Sequence, residues 1–88
     1  MKRAARVDSN HAEIVAAFEQ AGAPVLSLAP LGDGAPDLLV LIHDELALVE
    51  VKSAHGKLTP AQRDFHRQWP VRVVRNTAEA LAMMKVPR

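Results

Sequence analysis

The sequence predicts an α/β domain of the α+β kind, with one four-stranded mixed sheet flanked by helices. Three observations carry that expectation. Two apolar runs, "DLLVLI" (37–42) and "LALVEV" (46–51), flank the polar "HDE" and read as an antiparallel hairpin. Residues 46–75 run strand, capped helix, strand, which implies a parallel pair joined by a right-handed crossover. The full order is helix, three strands, helix, strand, helix, and 88 residues accommodate it as one domain of short elements.

Each element has a local cause. The first helix is expected from His11 to Ala21, with Asp8, Ser9 and Asn10 as possible N-caps. Ile14, Ala17, Phe18 and Ala21 form its apolar stripe, Gly22 suits the position after its end, and Pro24 blocks continuation. "PVLSL" (24–28) is a first short strand. "APLGDGAP" (29–36) is a loop whose glycines are expected to allow close approach of a ligand backbone or simply a turn. The second helix opens in "LTPAQ" (58–62), where Thr59 is the N-cap, Pro60 the first helical residue and Gln62 the far side of a capping box. Phe65 and Trp69, four apart, mark its buried face, and Pro70 ends it. "VRVVR" (71–75) is the fourth strand, and Thr77 caps a last helix carrying Leu81 and Met84. Phe18, Phe65 and Trp69 are expected in the core, with one helix covering each sheet face.

Composition narrows the class. Hydrophobic residues make up 49% and charged residues 24%, as in an ordinary globular chain. The apolar runs fall short of the about 20 residues that span a bilayer, and no apolar segment follows the basic start "MKRAARVDSNH". With no cysteine there is neither a disulfide nor a thiolate metal site. The expectation is a soluble, cytoplasmic protein with no membrane partner. Net charge is only +1 but uneven: residues 7–51 carry eight acids and no Lys or Arg, whereas residues 52–75 carry six bases and one acid. Lys2, Arg3 and Arg6 add a basic arm over residues 1–7. A basic second half suits a polyanion, and an acidic first half suits cations.

The chemistry centres on "LALVEVK" (46–52). Alternate strand residues share a face, so Glu50 and Lys52 stand together with Leu46 and Leu48, while Ala47, Val49 and Val51 point the other way. A hairpin turn of even length sets Asp37 opposite Glu50 on that face; a three-residue loop would set it opposite Val51 instead. With the even turn, two carboxylates and an ammonium meet at one end of the sheet. Facing carboxylates repel unless a cation lies between them, and oxygen donors of this kind suit Mg²⁺. The competing reading is a solvated Glu50–Lys52 ion pair worth about 0–1 kcal/mol. His11, His43, His55 and His66 show no zinc-site spacing.

Pro36-Asp37 followed across a hairpin by Glu50-Val51-Lys52 resembles the PD-(D/E)XK nuclease motif, and the element order is similar to the restriction-endonuclease-like αβββαβ core. "GDGAPDLLVL", "LALVEVKSAHGKLTPAQRDFH" and "VRVVRNTAEAL" resemble the virus-type replication-repair nuclease (VRR-NUC) branch, over about residues 8–82. The resemblance implies a Mg²⁺-dependent endonuclease, with Mn²⁺ as a substitute, that hydrolyses DNA phosphodiesters. It further implies a bacterial or phage-encoded homodimer acting on branched or double-stranded DNA such as a four-way (Holliday) junction. Carried over by position, Glu13, Asp37, Glu50 and the Val51 carbonyl would bind the metal. Asp37, Glu50, Lys52 and Gln62 would be catalytic. Ser53, Lys57, Arg63, His66 and Arg67 would lie along the nucleic acid, with Gly56 giving the "SAHGK" loop a left-handed turn. For Glu13 and Gln62 the alternative is a capping box, with Asn10 and Thr59 respectively. The alternative for the whole chain is a DNA-binding module of the same fold that does not cleave.

Overall fold

The computed structural model describes residues 9–85; the expected basic arm and the Asp8 cap lie outside the described residues. The elements are α1 (His11–Gln20), β1 (Val25–Ser27), a single 3₁₀ turn (Ala29–Leu31), β2 (Leu38–Ile42), β3 (Glu45–Val51), α2 (Pro60–Gln68), β4 (Val71–Val74) and α3 (Thr77–Met84). They form one sheet in the order β1-β2-β3-β4. β1, β2 and β3 pair antiparallel and β3 pairs with β4 in parallel, so the sheet is mixed as expected.

The hairpin register is the even one. Leu38 faces Val49 and Ile42 faces Glu45, which leaves a two-residue turn at His43-Asp44. Both turn residues have positive φ, 51° and 68°, the requirement of a type I′ turn whose twist matches the flanking strands. His and Asp tolerate that region better than branched residues do. The same register carried one step outward sets Asp37 opposite Glu50.

α1 and α3 cover one face of the sheet. Ile14 and Phe18 of α1 and Ala80 and Met83 of α3 pack on Leu38, Val40, Ile42, Val49, Val51 and Val74. Phe18 is fully buried, and truncating such a side chain costs about 3–5 kcal/mol. The apolar stripes are narrower than the sequence suggests. Ala21 lies beyond the end of α1 and is exposed. In α3 the inward row is Ala80 and Met83, with Leu81 at the rim. Asn76, not Thr77, caps α3, accepting from Glu79 N–H at 2.8 Å, while the Glu79 carboxylate accepts from Arg75 N–H at 2.6 Å. A charged third residue that reaches back in this way fixes the helix start one residue earlier.

The opposite face carries α2, and there the core expectation fails. Trp69 is 53% exposed and Phe65 is half-buried, the two rings stacked 5.7 Å apart. α2 has no fully buried residue. Leu26, Leu41 and Leu46, which share this face by register, are exposed as well. One short helix is too narrow to cover four strands, so the β1–β2 half lies open. No helix among the described residues is long and apolar enough to cross a membrane.

Candidate metal and nucleic-acid site

The site lies where β3 ends, and three local devices build it. The first is the hairpin, which brings Asp37 to Glu50. Asp37 Oδ2 accepts from Val51 N–H at 2.8 Å, so its carboxylate is tied to the last residue of β3. Glu50 is 2% exposed and is the buried charged residue of the described chain. A buried carboxylate is expensive unless it is hydrogen-bonded or paired, and the second device supplies such a bond.

The second device is the start of α2. Thr59 Oγ1 accepts from Gln62 N–H at 3.2 Å and Gln62 Oε1 accepts from Thr59 N–H at 2.9 Å, completing the capping box. Gln62 Nε2 also donates to Glu50 Oε2 at 3.1 Å. The two readings of Gln62 are therefore compatible: one end caps the helix while the other holds the buried carboxylate.

The third device is Gly34. It has φ +82°, and a Cβ there would lie 2.4 Å from the Ala61 carbonyl oxygen. The glycine-rich segment thus meets the first turn of α2 backbone to backbone, which fixes α2 beside the approach to Asp37. A side chain at Gly34 would be incompatible with both the φ angle and the space.

The remaining predicted residues take varied positions. Lys52 is half-buried at the end of β3. Glu13 is exposed in the first turn of α1 and lines a groove with Gln20, Thr77 and Leu81. Its capping-box alternative is not formed, because the Asn10 side chain makes no bond to the helix end. Among the described residues no three His, Cys, Asp or Glu side chains are grouped to hold a metal. Asp37 and Glu50 are the acidic pair that the hairpin brings together.

Comparison with known proteins completes the picture. No family model matches the sequence, and no curated protein matches it. A solved structure described as a VRR_NUC domain matches with a TM-score of 0.68 and 26% identity, over 92% of this chain and 100% of its own. The chain shares the fold of that VRR_NUC domain over nearly its whole length. Within this VRR-NUC fold, Ser53 and Lys57 bracket the loop after Lys52, and the half-buried His66 stands one turn beyond Gln62. His66 Nε2 is shielded from solvent without a hydrogen-bond partner. Its pKa is lowered, first by that desolvation and second by the Lys52 charge. Arg63 Nη1 donates to the Leu58 carbonyl at 3.0 Å, Arg67 pairs with Asp64, and Lys57 is exposed. Gly56 does not have positive φ, contrary to expectation. Its requirement is space, since a Cβ would lie 3.0 Å from Ser53 Oγ.

Two residues at this end of the sheet are not apparent from the sequence. Asn10 Nδ2 donates to the Lys52 carbonyl at 3.2 Å and to the Arg75 carbonyl at 2.7 Å, joining α1 to the ends of β3 and β4. Arg75 Nη1 donates into the loop after Lys52. Asn10 looks like a helix cap and Arg75 like one more surface base; only the position of Asn10 before a helix that it fails to cap, and of Arg75 at a parallel strand end, distinguish them.

Proposed function

We propose that this VRR-NUC chain is a metal-dependent endonuclease that hydrolyses DNA phosphodiester bonds, with a preference for branched DNA. The observation that supports it best is the buried Glu50, opposite Asp37 in the hairpin register and held by Gln62 at 3.1 Å. The donor set fits a hard divalent cation. It offers carboxylate oxygens from Asp37 and Glu50 and a carbonyl from Val51, with no thiolate in the chain. Two protein carboxylates are enough for Mg²⁺ or Mn²⁺, which keep waters and accept substrate phosphate oxygens. When bound, such an ion lowers the pKa of water and neutralises charge on the phosphoryl oxygens.

The chain's own residues have separate tasks in this reading. Asp37 and Glu50 supply negative charge at one end of the sheet, and Gln62 sets the orientation of the Glu50 carboxylate. Lys52 orients the attacking water and offsets charge that develops in the transition state. Glu13, on α1, contributes through an intervening water. Ser53, Lys57, Arg63, His66 and Arg67 follow the phosphate backbone, so recognition rests on shape and charge. Symmetric cutting of a junction calls for a two-fold dimer.

The test is cleavage of supercoiled, linear and four-way-junction DNA with Mg²⁺, Mn²⁺ or EDTA. Asp37→Asn is the better variant, because its amide oxygen still accepts from Val51 N–H, whereas Asp37→Ala leaves that group unpaired at about 1–3 kcal/mol. We expect metal-dependent cleavage, strongest on the junction, abolished by EDTA and by Asp37→Asn. Metal-independent binding without cleavage of any substrate would establish the non-cleaving module instead.

A further inference from the structure

We propose that Arg75 is a positioning residue for Lys52, acting through the loop 53–56. The role rests on the nuclease reading for its catalytic meaning, but the geometry stands without it. The main chain of Lys52 is fixed from two sides. Its N–H donates to the Val74 carbonyl at 3.1 Å, extending the parallel ladder, and its carbonyl accepts from Asn10 Nδ2 at 3.2 Å. The side chain is steered by the loop next to it. Gly56 N–H donates to the Ser53 carbonyl at 3.2 Å, folding the loop back, so that a Cβ at Gly56 would lie 3.5 Å from Lys52 Cδ. The stem of Lys52 therefore runs along the glycine of its own loop.

That loop is shaped by one nitrogen. Arg75 Nη1 donates to the Ser53 carbonyl at 2.7 Å and to the Gly56 carbonyl at 2.8 Å, with the Ala54 carbonyl at 3.5 Å. Charge-assisted bonds of this kind are about twice as strong as neutral ones. Arg75 is itself pinned: its N–H donates to the Glu79 carboxylate at 2.6 Å and its carbonyl accepts from Asn10 at 2.7 Å. Arg75 thus commits Nη1 to gathering carbonyls, and the loop they belong to forms a wall for the Lys52 stem. A base that sequence alone assigns to polyanion binding serves instead to aim the neighbouring ammonium.

The test compares Arg75→Met and Arg75→Lys with Lys52→Met and the double variant Lys52→Met/Arg75→Met, using the DNA that the wild-type chain cleaves. Arg75→Met is expected to lower kcat about 10- to 100-fold with KM changed less than about threefold, as displacement of a catalytic group does. Arg75→Lys is expected to recover to within about threefold, because one ammonium has three donors for the clustered carbonyls. The double variant should be no slower than Lys52→Met alone. A second readout needs no cleavage: in ¹³C-dimethylated protein the Lys52 resonance, identified by its loss in Lys52→Met, should move in Arg75→Met towards the exposed lysines. If Arg75→Met does not fold, Gly56→Ala, which pushes on the same loop, takes its place with the same expected kcat loss and resonance shift. Wild-type kcat in the variant, additive losses in the double variant, or an unmoved Lys52 resonance would each overturn the assignment. A wild-type chain that cleaves nothing defeats the nuclease reading alone; the resonance then still decides whether Arg75 positions Lys52.

Discussion

The side-chain amide of Gln62 bridges two structures, donating to the buried Glu50 carboxylate at 3.1 Å and accepting from the Thr59 N–H at 2.9 Å. A helix cap and a carboxylate clamp therefore share one residue. Two substitutions separate the functions. Gln62→Glu keeps an acceptor for Thr59 but loses the donor to Glu50 and adds a like charge beside it. Gln62→Ala removes both bonds at a cost of about 1–3 kcal/mol, measured by urea denaturation. In the absence of metal, Gln62→Glu is expected to be at least as destabilising as Gln62→Ala. Divalent cation should narrow that gap, since it neutralises the added carboxylate.

Gly34 offers a test of the site's architecture that touches no carboxylate. Its φ of +82° and the Ala61 carbonyl 2.4 Å from an added Cβ leave no room for a methyl group. Gly34→Ala is expected to lower stability by about 2–4 kcal/mol, combining left-handed strain with overpacking. Gly32 also has positive φ, at 65°, but faces open space. Gly32→Ala should cost only about 1 kcal/mol. Equal effects from the two variants would show that contact with α2 is unimportant.

His66 predicts an acid-side loss of stability. Its folded pKa lies below the ordinary histidine value of 6.5, through desolvation and then the Lys52 charge. Well above 6.5 both states are neutral and the group contributes no pH dependence. As pH falls from 6.5 towards the folded pKa, the unfolded chain takes up a proton that the folded chain refuses, so stability falls. His66→Gln should flatten this part of the stability profile, and Lys52→Met should raise the His66 titration midpoint followed by NMR. A midpoint at or above 6.5 in the wild-type chain would contradict the placement of His66.

The open sheet face predicts assembly. Leu46 is 70% exposed, Leu26 59% and Trp69 53%, an apolar surface alongside the site. We expect sedimentation to give the mass of two chains at micromolar concentration, and Leu46→Lys/Trp69→Ser to give one. Because Leu46 is so exposed, its replacement should change the stability of the single chain by only about 0.5 kcal/mol. A wild-type chain that sediments as one copy at that concentration would count against the dimer.

The fold is largely legible in the residues, and the reasons are local. Thr59, Pro60 and Gln62 announce the start of α2, and the alternation on both sides of His43-Asp44 announces the hairpin. The sequence allows either an even or a three-residue turn there, and positive φ at two non-glycine residues selects the even one. The hidden features depend on partners distant in sequence. Trp69 reads as core because aromatic residues four apart on a helix normally face one; whether a second layer exists above them is not written in α2 itself. Asn10 has the sequence position of a helix cap, yet carbonyls 42 and 65 residues away claim its side chain. Glu13 occupies the expected helix, but its groove partners, Thr77 and Leu81, lie on α3.

The bonds of Asn10 share a property with several others at this end of the domain: the acceptors or donors they engage are main-chain atoms. Arg75 grips carbonyls, Asp37 holds an N–H, and Gly34 meets a carbonyl. Joints of this type depend on the course of the backbone and on one side chain each, never on a matched pair. The residues between them are then at liberty to drift, each without a compensating change opposite. Such a scaffold fixes the course of the backbone at a few joints while leaving most side chains between them free to vary.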